Sequence, residues 1–198
     1  MLRHGELVYG LVVAVDIENF SRLDTLDQSM VQARLSQVLD LAAARACLDR
    51  KKWYRQLRGD GELAVLPPDT NVAWVVADFT HHITRELMDC GHPRLRLRIS
   101  MHHGTLTAGD FGPVGDAPII ACRLLDARAT CRALAAEADS DAVIVVSQQL
   151  YRDVVATRFH GLRPKRFRPM HVSAKGTTYT GYICVGSPRA LAGDPVDH

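Results

Sequence analysis

The chain has 198 residues, 47% of them hydrophobic and 23% charged, with a formal net charge of +2. That length suits one domain with a proper core, and the balance is that of an ordinary globular protein. So small a charge argues against nucleic acid or an acidic membrane surface as partner, and no run approaches the ~20 apolar residues of a membrane span.

In chain order, "LVYGLVVAVD" (7–16) is apolar almost throughout and predicts a central buried strand. It has no basic leader or small-residue cleavage site, so it reads as a strand and not a signal peptide. Leu35, Val38, Leu39, Ala42 and Ala46 recur at helical spacing, with Arg34, Gln37 and Arg45 outside the stripe, predicting a helix over 27–48. "QLRGDGELAVLPP" (56–68) predicts a hairpin with arms 52–58 and 62–67 about a Gly-Asp-Gly turn. Pro67 and Pro68 stop its second arm, and Asp69 or Thr70 is placed to cap a helix near 71–89. "RLRLRISMHHG" alternates Leu and Arg before turning apolar, predicting a strand over 94–103.

A third helix is expected over 116–136, a strand at 142–147, a short helix at 148–158, and paired strands near 168–174 and 178–185. Residues 1–187 are expected to form one domain and 188–198 a disordered tail. Five scattered cysteines (Cys47, Cys90, Cys122, Cys131 and Cys184) suit reduced thiols of a cytoplasmic protein better than disulfides or zinc ligands. The order β-α-β-β-α-β, then α-β-α-β-β, predicts an α+β fold. Its first half is a ferredoxin-like split βαβ sheet with two helices on one face, and it ends in an extra C-terminal hairpin.

Two carboxylates stand out. Asp16 lies where the first strand leaves the sheet, and a carboxylate there costs desolvation unless it meets a cation or hydrogen bonds. Asp60 lies at the hairpin tip. In the split βαβ order the first strand is a neighbour of that hairpin, so the two carboxylates fall at one sheet edge, where a divalent metal relieves their repulsion. The plainer alternatives are a strand-end cap for Asp16 and a turn residue for Asp60. The loop "IENFS" (17–21) leads into a helix N-terminus able to meet anionic oxygens.

"VAVDIENFSRL" (13–23), "RGDGELAV" (58–65) and "RLRISMHHGTLTAGDFGPVGDAPIIACRLLDA" (96–127) occur in the order of the class III nucleotidyl cyclases, the adenylate and guanylate cyclases, and resemble that family's motifs. "FRPMHVSAKGTTYTGYI" (167–183) resembles its last hairpin, so the likeness spans roughly residues 9–185. The resemblance implies a lyase converting a nucleoside triphosphate to a 3′,5′-cyclic monophosphate and pyrophosphate, with two Mg²⁺ or Mn²⁺ ions held by Asp16, Asp60 and the Ile17 carbonyl. It implies that Arg123 stabilises charge on the α-phosphate, that Lys175 faces the triphosphate, and that Phe20 and Ser21 belong to the loop covering the phosphates. It further implies a homodimer with active sites at the interface. The alternatives are an exposed helical arginine for Arg123 and a core staple for Phe20.

Three positions depart from the family pattern. Ile119 stands where the family usually has an asparagine that orients the ribose. Gln56 and Gly112 stand at the base-reading positions and match neither the adenine nor the guanine pattern. Stand-alone bacterial antiphage pyrimidine cyclases are similar in lacking a sensor module and in atypical base-reading residues, which implies UTP or CTP as substrate. Trp53 and Tyr54 are candidates to narrow the base pocket, with sheet packing as the alternative. The competing expectation is a degenerate cyclase-like domain that binds nucleotide or dimerises without turnover. His81–His82 and His102–His103 point different ways in pairs and are poor shared metal ligands. "RPKRFRP" (163–169) reads as a solvated basic face.

Overall fold

The computed structural model describes residues 4–88, 91, 93–174 and 176–189. Strands β1 (Val8–Ile17), β2 (Tyr54–Leu57), β3 (Gly61–Val65) and β4 (Leu97–Gly109) are ordered β2-β3-β1-β4, all antiparallel neighbours. This is the expected split βαβ arrangement. β6 (Ala142–Ser147) adds parallel to β4, and β8 (Thr177–Val185) and β7 (Arg168–Ala174) complete the sheet; β5 (Gly112–Val114) pairs with the far end of β4.

β1 is apolar on both faces because both are covered. Leu11, Val13, Val15 and Ile17 meet the stripe Val31, Leu35, Val38, Leu39 and Ala42 of helix α1 (Thr25–Arg45). Asp24 caps α1, accepting from the Asp27 amide at 2.8 Å. The same layer holds α2 (Val72–Trp74), a π-helical stretch (Val75–Phe79) and α3 (Thr80–Met88). The cap of that run is Asn71, whose side chain accepts from the Ala73 and Trp74 amides, and not Asp69 or Thr70.

Val12 and Ala14 face the other way, against Ala117, Ala121 and Leu125 of helix α4 (Asp116–Leu125). Helices therefore cover both faces: the expected pair on one, and α4 with α5 (Arg128–Ala136) on the other. The single helix expected over 116–136 is divided, because Ala127 takes an extended conformation (ψ 136°). β4 runs six residues past its expected end, where Gly109 and Gly112 allow it to fold back as β5. Helix α6 (Gln148–Asp153) is capped by Ser147. The tail expected from residue 188 is held at its start: the Arg163 amide donates to the Pro188 carbonyl at 3.1 Å, and Arg189 bridges to Leu162. Residues 190–198 and Cys90 lie outside the described residues. No helix among the described residues is long and apolar enough to cross a membrane.

Candidate active site

The sheet register places Asp16 between Gly61 of β3 and Arg98 of β4. Only glycine fits opposite, since a Cβ at residue 61 would stand 1.9 Å from the Val15 carbonyl oxygen. That close approach lets the Ile17 amide donate to the Asp60 carbonyl at 2.8 Å, holding the hairpin tip beside the end of β1. Asp16, Ile17 and Asp60 are thus gathered at one edge. Behind them the buried Arg50 guanidinium donates through Nη2 to both Glu62 carboxylate oxygens at 2.8 and 2.9 Å, and pairs with Asp40, bracing β3 against the end of α1.

Asp16 is buried, and Arg98 grips it with a planar fork: Nε to Oδ1 at 2.8 Å and Nη2 to Oδ2 at 2.7 Å. Arg98 also bonds the Cys131 sulfur of α5. Burial pushes the Asp16 carboxyl up to about 6; Arg98 pulls it down, while the nearby Asp60 and Asp126 carboxylates add to the rise. Arg98 was not singled out from the sequence, although its place in the Leu/Arg alternation, once β4 is paired with β1, puts it opposite Asp16.

The oxygen donors here suit a hard divalent cation, and a cation would offset both the burial and the lesser Asp60 repulsion that raise Asp16. The donor set is small. Among the described residues no group of three or more His, Cys, Asp or Glu side chains has a metal-binding arrangement. Arg98 occupies both Asp16 oxygens, so a cation would share Asp16 with it or displace it.

A second constellation forms beyond β2. Gln56 donates from Nε2 to the Phe111 carbonyl at 2.8 Å, in the turn between β4 and β5. Gly112 lies against that amide with φ 128°, and a Cβ there would stand 2.7 Å from Gln56 Oε1. The two expected base-reading positions are therefore adjacent. An open pocket of about 440 Å³ begins at Gln56 and runs over Val114 and Pro118 to Ile119, Cys122 and Arg123 on α4. Ile119 presents an apolar, half-exposed side chain there. Arg58 also lines the pocket and donates to the Cys122 sulfur at 3.4 Å, a contact between hairpin and helix that the linear spacing does not show. Arg123 further borders a cavity of about 340 Å³ with Asp126, Arg128 and His171. Asp16 and Asp60 line neither.

The remaining expected site residues fall as follows. Phe20 opens a 3₁₀ turn (Phe20–Arg22) and packs against the core, while Ser21 is exposed. Lys175 lies outside the described residues. Trp53 does not narrow a base pocket: it is buried on the core face, edge-on to Phe79 at 5.4 Å. Tyr54 packs against the α4-side core and does not line the pocket.

No protein-family profile matches the chain, and no curated protein does. Solved structures do. The catalytic core of a rhodopsin-guanylyl cyclase with converted specificity, in complex with ATPαS, is 20% identical with a TM-score of 0.65, covering 94% of this chain and 100% of that one. The guanylate cyclase domain of RhGC from Catenaria anguillulae, in complex with GTP, is 21% identical (TM-score 0.62), covering 92% of this chain and all of the other. An adenylate/guanylate cyclase/hydrolase from Silicibacter pomeroyi is 18% identical (TM-score 0.62), covering 92% and 98%. The chain has the fold of the class III adenylate/guanylate cyclase catalytic domain.

Proposed function

We propose that the chain is a metal-dependent nucleotidyl cyclase that converts a nucleoside triphosphate to its 3′,5′-cyclic monophosphate and pyrophosphate. The observation that carries this is the convergence of Gln56, Ile119 and Arg123 on one pocket, with Gly112 against the Gln56 amide, on a fold whose relatives bind GTP and ATPαS. In this reading the base lies over Gln56 and Gly112, the ribose over Ile119, and the α-phosphate at Arg123. The fixed fork of Arg123 meets the non-bridging oxygens as the 3′-oxygen attacks phosphorus and the bond to pyrophosphate breaks. Asp16, Asp60 and the Ile17 carbonyl would hold two Mg²⁺ or Mn²⁺ ions. Bound there, the ions would acidify the 3′-hydroxyl and neutralise the departing pyrophosphate. Phe20 and Ser21 belong to the loop over the phosphates, and Lys175 is the lysine the resemblance assigns to the triphosphate.

The Gln56–Arg123 pocket and the Asp16–Asp60 edge are two halves of a site, completed across a head-to-tail homodimer. Phe111, Val114 and Ile119 are exposed apolar side chains around the pocket, which suits a face covered by a second copy. For the base, Gln56 commits one of its two amide N–H groups to Phe111 and keeps Oε1 as an acceptor, able to meet the N3–H of uracil or the 4-amino group of cytosine. The preference for UTP or CTP, an antiphage signalling role and a cytoplasmic setting rest on the resemblance to pyrimidine cyclases.

A second reading, a cyclase-like domain that binds nucleotide or dimerises without turnover, is favoured by Ile119, whose side chain makes no hydrogen bond, and by Arg98 pairing with both Asp16 oxygens. One experiment separates them: purified protein with Mn²⁺ and each of the four ribonucleoside triphosphates, read by mass spectrometry. Cyclic UMP or cyclic CMP is expected, and it should vanish in Asp60→Ala. No cyclic product from any triphosphate would overturn the cyclase reading. In cells, wild-type protein should lower phage plaque counts and Asp60→Ala should not; equal counts would remove the antiphage role.

A further inference from the structure

Helix α5 lies over the sheet beside the edge strand β7, and the two enclose a groove. Its middle is closed, where Met170 of β7 packs with Leu124 and Ala127, and the Thr130 hydroxyl of α5 faces the Met170 sulfur. Its two ends are open. One end is the cavity beside Arg123, lined by Arg128 and Ala129 of α5 and by 171–174 of β7. The other, formed by the C-terminal end of α5 and the start of β7, is a larger cavity of about 580 Å³ that the cyclase reading does not use.

The charges in this second cavity are sorted. Lys165, Arg166 and Arg168 supply cations, and Glu137 and Asp139 after α5 supply carboxylates. Ala133 and Ala136 of α5 and Ile183 and Val185 of β8 supply apolar lining, beside Ser140 and Gly186. Lys165, Arg168, Glu137 and Asp139 are exposed; Arg166 is half-buried and positioned by Nη1 donating to the Arg189 carbonyl at 3.2 Å. Three residues of the basic run 163–169, a plain solvated face in the sequence, line a concave site. The volume lies within the range of small-molecule pockets, and guanidinium forks match phosphate oxygens.

We propose that this cavity is a second small-molecule site that takes a nucleoside monophosphate. The phosphate is held at Lys165, Arg166 and Arg168. Sugar hydroxyls or base amino groups donate to Glu137 and Asp139, and the base lies on Ile183 and Val185. An inorganic anion satisfies only the first wall, and a neutral nucleoside lacks it. The site is separate from the Arg123 pockets but built on the same helix and edge strand, roughly 12 Å away along α5 at 1.5 Å per residue.

The test is isothermal titration calorimetry of the full chain with UMP, AMP, ribose 5-phosphate and inorganic phosphate. It is repeated on Arg168→Glu, Glu137→Gln and Arg123→Ala, the last to account for binding in the cyclase pocket. UMP or AMP should bind more tightly than ribose 5-phosphate, and ribose 5-phosphate more tightly than phosphate. Reversing the exposed Arg168 should weaken nucleotide binding about tenfold or more through loss of a charge-assisted contact, and it should do so equally in an Arg123→Ala background, where binding in the cyclase pocket is removed. Glu137→Gln should weaken the nucleotides and spare inorganic phosphate. Three results would each overturn the proposal: no binding at millimolar nucleotide, binding lost in Arg123→Ala but kept in Arg168→Glu, or phosphate binding as tightly as the nucleotides.

Discussion

His102 and Asp16 lie on the same face of adjacent strands, both buried, and burial acts on them in opposite directions of charge. The His102 ring bonds the Ser147 hydroxyl through Nδ1 at 2.8 Å, and the Cβ of any residue replacing Gly104 would stand 2.6 Å from its Nε2. Burial drives its pKa down to about 4, aided by His103 and opposed by Asp116. The unfolded chain takes up this proton near the ordinary value of 6.5, whereas the folded chain refuses it until about 4. His102 therefore contributes stability that is fully present above 6.5 and is lost as pH falls from 6.5 to 4, on the order of 3 kcal/mol in all. Asp16, whose folded value of about 6 lies above 3.8, works the other way: its contribution is greatest below 3.8 and declines as pH rises to 6. The two offset each other in mild acid. A His102→Gln chain should lose the first contribution alone, so denaturant melts at pH 7.5 and 4.5 should show wild type falling toward the variant in acid. A constant difference between the two proteins would contradict this account. None of this opposition is visible in the linear sequence, where His102 is one of a tempting pair of histidines and Asp16 is a strand-end carboxylate.

At the level of elements, strands and their order were the most legible features. The strand at 142–147 is an apolar run of five residues ending at Ser147, and the structure forms it over those six residues. The break between α4 and α5 was not legible, because Leu124, Leu125, Ala127 and Leu134 continue a helical apolar pattern straight through it; packing of both helices on a twisted sheet decides where the chain bends. Likewise β5 is three residues long, too short to announce itself by alternation. The Gly-Asp-Gly hairpin was legible as a turn, but its two glycines are unlike. Gly61 lies against the backbone of β1, whereas nothing approaches the Cβ position of Gly59 within 4 Å. Gly61→Ala must push β3 off β1 and break the Ile17–Asp60 hydrogen bond, so urea unfolding should show a loss of more than about 3 kcal/mol. Gly59→Ala should stay within about 0.5 kcal/mol of wild type, as open surface positions do. Equal midpoints for the two variants would show that the β1–β3 contact is looser than the geometry states.

On the scale of the whole molecule, the separation of Asp16–Asp60 from the Arg123 pocket has a stoichiometric consequence. If each active site joins the carboxylates of one copy to the arginine of another, a closed two-fold dimer carries two sites. Asp60→Ala chains then spoil every site in their homodimers, and so do Arg123→Ala chains. Mixed dimers differ: one site receives both defects, while the other receives an intact Asp60 and an intact Arg123. Random pairing of equal amounts makes half of the dimers mixed, each with one working site of two, so the mixture should regain about a quarter of the wild-type rate. A site contained within one chain has no such route to recovery, because each chain keeps its own lesion. The measurement is the rate of cyclic nucleotide formation after the two variants are mixed and given time to exchange partners, with exchange followed by native mass spectrometry. Exchange without recovered activity would place the carboxylates and Arg123 in the same chain's site, and would require the Asp16–Asp60 edge to close onto its own α4.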